Sequence, residues 1–80
     1  MVKIIIYKGN LPVAYFTTNV VPAIGTTIGY LISETQKMSP QYKVLGVHTN
    51  YFASLENVPI EQRPHLDINP GVLSIVNVYI

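Results

Sequence analysis

The stretch NVVPAIGTTIGYLI, residues 19–32, decides how this chain is read. An apolar run breaks at Pro22, steps through Gly25 and resumes with β-branched residues. Pro22 removes a backbone donor and fixes φ. Gly25 opens backbone angles closed to other residues. Together they predict a corner between two strands, with Ile24 between them plugging the core. The run TTIGYLI, residues 26–32, reads as the strand that leaves the corner. Gly29 inside it marks a bulge or a close backbone approach.

Upstream, VKIIIYK at residues 2–8 is a strand by its three isoleucines and its tyrosine. Both of its faces are apolar, because Ile4 and Ile6 alternate with Ile5 and Tyr7. Gly9-Asn10 then signals a hairpin, since both residues tolerate positive φ. Pro12 confines the start of the next strand to an edge position. That strand, VAYFTTNVV at residues 13–21, sets Ala14, Phe16, Thr18 and Val20 on one face. Val13, Tyr15, Thr17, Asn19 and Val21 take the other.

Downstream, SETQKMSPQ at residues 33–41 is a polar loop or one helical turn in ETQKM ahead of Pro40. YKVLGVHTNYF, residues 42–52, is one long strand or two strands bent at Gly46. Residues 53–71 carry three prolines and form the longest irregular stretch, with a helical turn in SLEN capped by Ser54. A connection of that length in a small domain is often functional. VLSIVNVYI, residues 72–80, closes the chain as a strand that ends on an apolar residue, paired in a sheet or covered by a subunit. The sum is one all-β domain over residues 1–80. Five to six strands with Gly and Pro corners give a small SH3-like barrel or a rolled antiparallel sheet with one long loop.

Composition narrows the function classes. Of the 80 residues, 49% are hydrophobic and only 11% charged, against about 25% charged in an ordinary soluble domain. So little charge leaves apolar surface for another copy of the chain to cover, which predicts a homo-oligomer. The formal net charge is +1, and Lys3, Lys8, Lys37, Lys43 and Arg63 are scattered. General nucleic-acid binding needs clustered cations and is disfavoured. No run reaches the roughly 18 apolar residues of a membrane span. The start MVKIIIYKGN is too short and too β-branched for a signal peptide, so a cytoplasmic protein of a cell, or of a virus infecting it, is expected. The absence of cysteine excludes disulfides and thiolate metal sites.

The spacing Pro22-x-x-Gly25-x-x-Ile28, followed by Tyr42-x-Val44-x-x-Val47 and a terminal strand, resembles a loose class of short prokaryotic and phage proteins. These are SH3-like small β-barrels, mostly without assigned function. The resemblance covers residues 22–47 and, more weakly, 72–80. Where that class often has an acidic residue after the glycine, this chain has Thr26. The resemblance implies a viral or mobile-element origin, with a host protein as partner, and carries over no functional residue.

Candidate chemistry is sparse. His48 lies mid-strand, and His65 lies in the proline-rich loop beside Asp67. No ligand spacing ties them to a metal; a strand histidine with a polar partner and an exposed loop histidine are expected instead. Glu34, Glu56, Glu61 and Asp67 all fall in predicted loops, where solvated carboxylates are the rule. There is no nucleophile elbow, Walker A loop or dinucleotide fingerprint. No catalytic residue, cofactor or metal is therefore assigned. The six tyrosines fall in or beside predicted strands, first as core, second as interface and third as base-stacking platforms.

The leading expectation is a homo-oligomeric binding protein without catalytic activity. Its contacts are expected from residues 33–41 and 53–71. The alternative is an oligomeric, sponge-like binder of a small molecule or nucleotide between subunits. Lys43, Arg63 and His65 would meet the anion and Tyr42 or Tyr51 would stack the base. A single-stranded nucleic-acid binder is the third reading.

Overall fold

The computed structural model describes residues 2–65 and 73–80, with His65 represented by its backbone alone. The class is all-β. Eight strands follow in order: β1 (Val2–Lys8), β2 (Leu11–Thr18), β3 (Thr27–Ile28), β4 (Leu31–Ile32), β5 (Lys37–Met38), β6 (Tyr42–Lys43), β7 (Gly46–Phe52) and β8 (Leu73–Tyr79). Two short 3-10 segments, Leu55–Asn57 and Ile60–His65, lie between β7 and β8.

β1 and β2 form the hairpin that Gly9-Asn10 promises, with Lys8 opposite Leu11. Gly9 alone takes positive φ, at 64°. That is the pattern of a type II′ turn, whose first central position wants glycine. A register shift between Ile6 and Tyr7 leaves Val13 as the extra residue of a bulge. Pro12 sits on the turn side of that bulge, where a missing donor is tolerated on an edge strand.

The main sheet runs β2-β1-β8-β7 and is not purely antiparallel. β1 and β8 pair in parallel, Ile4 with Val76 through Tyr7 with Tyr79. This corrects the expectation of a rolled antiparallel sheet. The reason lies in the two sequences: VKIIIYK and LSIVNVY are both largely apolar on both faces, and such strands belong in the sheet centre, covered above and below. The Ile80 N–H donates to the Tyr7 carbonyl at 2.9 Å, and the Ile80 side chain packs against the core cluster.

Residues 27–43 form one interrupted hairpin. β3 pairs with β6 and β4 with β5, both antiparallel. Between these pairs, Gly29-Tyr30 faces Ser39-Pro40-Gln41, two residues against three. A Cβ on Gly29 would stand 2.8 Å from Gln41 Nε2, so the glycine does mark a close approach. Buried Ser39 closes the gap: the Tyr30 N–H donates to its Oγ at 2.9 Å and the Ser39 N–H donates to the Tyr30 carbonyl at 2.7 Å. The single strand expected over residues 26–32 is therefore two. The stretch ETQKM is no helix but the tip and returning arm of this hairpin, with Gln36 at φ 56°.

The corner works through backbone bonds. Gly25 takes φ 91°, and the Thr26 N–H reaches back to the Ala23 carbonyl at 3.2 Å. Positive φ at the third of four residues is a type II turn. The Gly25 N–H donates to the Val44 carbonyl at 2.9 Å, and the Val44 N–H donates to the Thr26 carbonyl at 2.8 Å, which continues the β3–β6 ladder. Ile24 does not plug the core; it is 65% exposed, because a turn residue held by its neighbours' backbone points outward. Val44, the residue facing the corner, is fully buried instead.

The interrupted hairpin covers one face of the main sheet. Ile4, Ile6, Ala14, Val76 and Val78 pack there against Tyr30 and Val44. The other face carries the smaller cluster of Ile5 and Ile75 under Val58, flanked by Tyr7 and Phe52. The main sheet and the two hairpin ladders are separate and do not close into a barrel, and eight strands exceed the five or six expected. Pro40 and the two-against-three mismatch break the second layer into two-residue ladders, too short to close onto the first. Residues 66–72, within the predicted long loop and at the start of the predicted last strand, lie outside the described residues.

Candidate functional site

β2 has no strand neighbour on its outer side among the described residues. Natural edge strands are usually blunted by charge, above all by lysine. This one is not: no charged residue occurs from Gly9 to Ser33. Large apolar side chains stand open along and just beyond it. Leu11 is 66% exposed, Phe16 38% and Val20 73%.

Three clefts border the same strand. One of about 170 Å³ lies on the Ile5 face, between Tyr15, Ile75 and Pro64. A second, about 480 Å³, runs from Pro12 to the hairpin residues Leu31 and Gln36. A third, about 380 Å³, lies among Ile6, Val20 and Pro22. Phe16 lines all three. Among the described residues, only Lys3 and Glu34 bring charge to their walls. The sequence signal for this site is the long charge-free run, although only the sheet order shows that it lies at an edge.

Of the sequence-selected ligand residues, Tyr42, Lys43, Tyr51 and Arg63 have described side chains. Tyr42 and Lys43 form β6, Tyr51 lies on β7, and Arg63 lies in the second 3-10 segment. No hydrogen bond or ring contact joins any two of these four. Tyr42 is engaged elsewhere: its hydroxyl accepts from Lys8 Nζ at 3.1 Å, and its ring stacks on Tyr30 at 6.3 Å. Arg63 is turned inward as a clamp, with Nε donating to the Val58 carbonyl at 3.0 Å and an Nη to the Glu56 carbonyl at 3.1 Å. Tyr51 is 77% exposed. The side chain of His65, and Asp67 entirely, lie outside the described residues.

The polar groups that do have partners are structural in kind. Lys8 also approaches the face of the Tyr42 ring, 4.8 Å from its centroid. The hydrogen bond to Tyr42 holds the Lys8 ammonium above its ordinary pKa of 10.5. It stays protonated at neutral pH and cannot act as a general base. His48 Nε2 lies 2.9 Å from Asn50 Oδ1 on β7, the polar partner expected for a strand histidine. Ser54 occupies the cap position of the first 3-10 segment, but its hydroxyl donates to the Asn57 side chain at 2.9 Å rather than accepting from the backbone. Among the described residues, no three His, Asp or Glu side chains are placed to hold a metal ion.

Two buried acceptors stand out on the Ile5 face. Asn77 Oδ1 and Gln62 Oε1 have no hydrogen-bond partner among the described residues. Gln62 Nε2 donates to the Tyr7 hydroxyl at 2.9 Å, and the Tyr7 ring stacks on Tyr79 at 5.5 Å. Of the six tyrosines Tyr30 is the buried one. The core role expected of them holds for Tyr30 and in part for Tyr7 and Tyr42, which pack against the two clusters, while Tyr15 and Tyr51 are exposed.

No helix among the described residues is long and apolar enough to cross a membrane. The chain matches no known protein family, no curated protein and no solved structure.

Proposed function

We propose that this protein acts by binding, without catalysis, and works as a homo-oligomer. The observation that carries the reading is the charge-free run from Gly9 to Ser33, which leaves Leu11, Val20 and Ile24 each about two-thirds exposed or more. Exposed apolar side chains beside an open sheet edge mark association surfaces in small domains. The loops first expected to make contact, residues 33–41 and 53–71, also expose Met38 and Ile60. Along and just beyond β2, Leu11, Tyr15, Phe16 and Val20 are exposed. The resemblance over residues 22–47 supports extending the reading to a phage-encoded protein whose further partner is a host protein.

The nucleotide reading has less behind it. Arg63 already satisfies two backbone carbonyls and Tyr42 already holds Lys8. A net charge of +1 likewise gives little for a single-stranded nucleic acid to follow.

Native mass spectrometry of the chain purified without denaturation tests the proposal. The expected result is a bare multiple of the 8.9 kDa chain. A mass equal to one chain overturns the oligomer. A multiple carrying extra ligand mass puts the nucleotide reading first.

A further inference from the structure

We propose that two copies of this chain join edge to edge through β2, antiparallel, so that the strand of each copy fills the clefts beside the strand of the other. The proposal rests on the homo-oligomer reading and names its interface.

Three observations converge on it. First, Pro12 and the bulge at Val13 blunt only the turn end of β2. Residues 14–18 keep an ordinary one-to-one register with β1 and carry no charge, so their outer side is a template for a further strand. Second, the clefts lie on both sides of the sheet at this edge, one towards Ile5 and two towards Ile6, with Phe16 bordering all three. An added strand sends successive side chains to opposite faces, so an edge with clefts on both faces suits strand addition.

Third, the site's chemistry selects its occupant. Among the described residues each cleft wall carries at most one charge, Lys3 or Glu34, and the edge itself carries none, so the fitting strand is itself uncharged and apolar on both faces. β2 meets that description, presenting Tyr15 on one face and Phe16 on the other. A two-fold axis perpendicular to the sheet keeps the faces in common, so each strand meets its own complement. The product is a continuous eight-stranded sheet, within the usual limit of about ten strands for an open sheet. Pairing over five residues alone falls short of the roughly 800 Å² per partner of a stable interface. Phe16 and Val20, beside the same cleft, extend the contact beyond the backbone.

The opposite edge is a poorer candidate. β7 offers Thr49 and a His48–Asn50 hydrogen bond in place of an apolar pair.

The chain has no cysteine, so single-cysteine variants report position cleanly. Tyr15→Cys, Phe16→Cys, Thr17→Cys and Thr18→Cys are made in the full chain, with Tyr51→Cys on β7 as control. Each is checked for folding by circular dichroism and then oxidised. A disulfide needs Cα atoms within about 7 Å, and residues directly opposite in an antiparallel pair stand about 5 Å apart. Moving one residue from the axis separates identical positions by two, beyond that reach.

The expected result is therefore a sharp peak. One of the four β2 positions gives covalent dimer at least about fivefold above the Tyr51→Cys control, and its neighbours do not. The threonine variants keep the test open if Phe16→Cys fails to fold. A flat, low profile across β2 in a chain that native mass spectrometry shows to be oligomeric overturns the β2 interface and leaves the homo-oligomer standing. A single-chain native mass overturns both. Cross-linking at Tyr51→Cys as strong as on β2, or cross-linking to a foreign chain in place of a second copy, also overturns the proposal.

Discussion

The two faces of the main sheet are built from the same strands yet end differently. On one, Ile4, Ile6, Val76 and Val78 meet Tyr30 and Val44 in the larger apolar cluster, and the buried polar side chain beside it, Ser39, is hydrogen-bonded to Tyr30. On the other, among the described residues, Ile5 and Ile75 meet Val58 with Tyr7 and Phe52 beside them, buried Asn77 of β8 shares the face, and the cover brings Gln62 from the second 3-10 segment. The first face is sealed by the interrupted hairpin, whose own bonds satisfy its backbone. The second is sealed by short segments that reach the sheet through side chains. Alternation along β1 and β8 makes both faces apolar and buries both, but the size of each cluster and the polar groups beside it follow from the segment that covers it.

The largest expected effect tests the apolar face. Ile6→Ala removes a core side chain between two layers and is expected to cost about 4 kcal/mol. A single core in a chain of this size supplies only a few kcal/mol, so the variant should be largely unfolded in urea titrations at 25 °C. Ile75→Ala, in the smaller apolar cluster, should cost about 2 kcal/mol and leave a folded protein. Equal losses would show that the two faces are packed alike and would break the comparison.

Asn77→Val is expected to stabilise. It removes a buried acceptor with no partner among the described residues, replaces it with a better strand former, and should gain about 1 kcal/mol. For a domain of this size that raises Tm by about 4–8 °C, read by calorimetry. A lower Tm would mean that Asn77 is held by a partner and that the Ile5 face is a site, not only the smaller apolar cluster.

Tyr7→Phe keeps the ring on Tyr79 and removes the hydroxyl that accepts from Gln62. It should cost about 1 kcal/mol. Hydrogen exchange should localise the added opening to the 3-10 segments, leaving the hairpin face unchanged.

Lys8→Met should be smallest, since the Lys8 ammonium is solvent-exposed. The folded-state pKa of Lys8 is raised above 10.5 by Tyr42. Its contribution is therefore fully present below that value and is lost as pH rises through the folded pKa. Parallel denaturation of the parent and the variant should show a small difference at pH 7 that closes under strongly alkaline conditions. A difference that persists there would assign the effect to packing of the lysine stem.

What was legible in the sequence was local. Gly9-Asn10 places a hairpin because two residues set the turn. Gly25 places a corner because few others take its φ. The alternation of VKIIIYK assigns each side chain to a face, and the structure keeps that assignment. What was not legible depended on distant partners. Nothing near Ile24 shows that Val44, and not Ile24, fills the space at the corner. Nothing near Tyr42 or Arg63 shows that Lys8 and two backbone carbonyls already engage them. The absence of charge along residues 9–33 can be read directly, yet its meaning waits on the strand order.

The sequence by itself therefore determined the all-β class, the turns and the two-faced character of the central strands. These follow from turn chemistry and from a side-chain period of two, both properties of neighbouring residues. Only the tertiary structure decided that β1 and β8 run parallel at the centre and that β2 is left at the edge. Strand pairing is made by backbone groups that are nearly the same at every residue, so the choice of partner is settled by which arrangement buries the apolar faces of the whole chain at once.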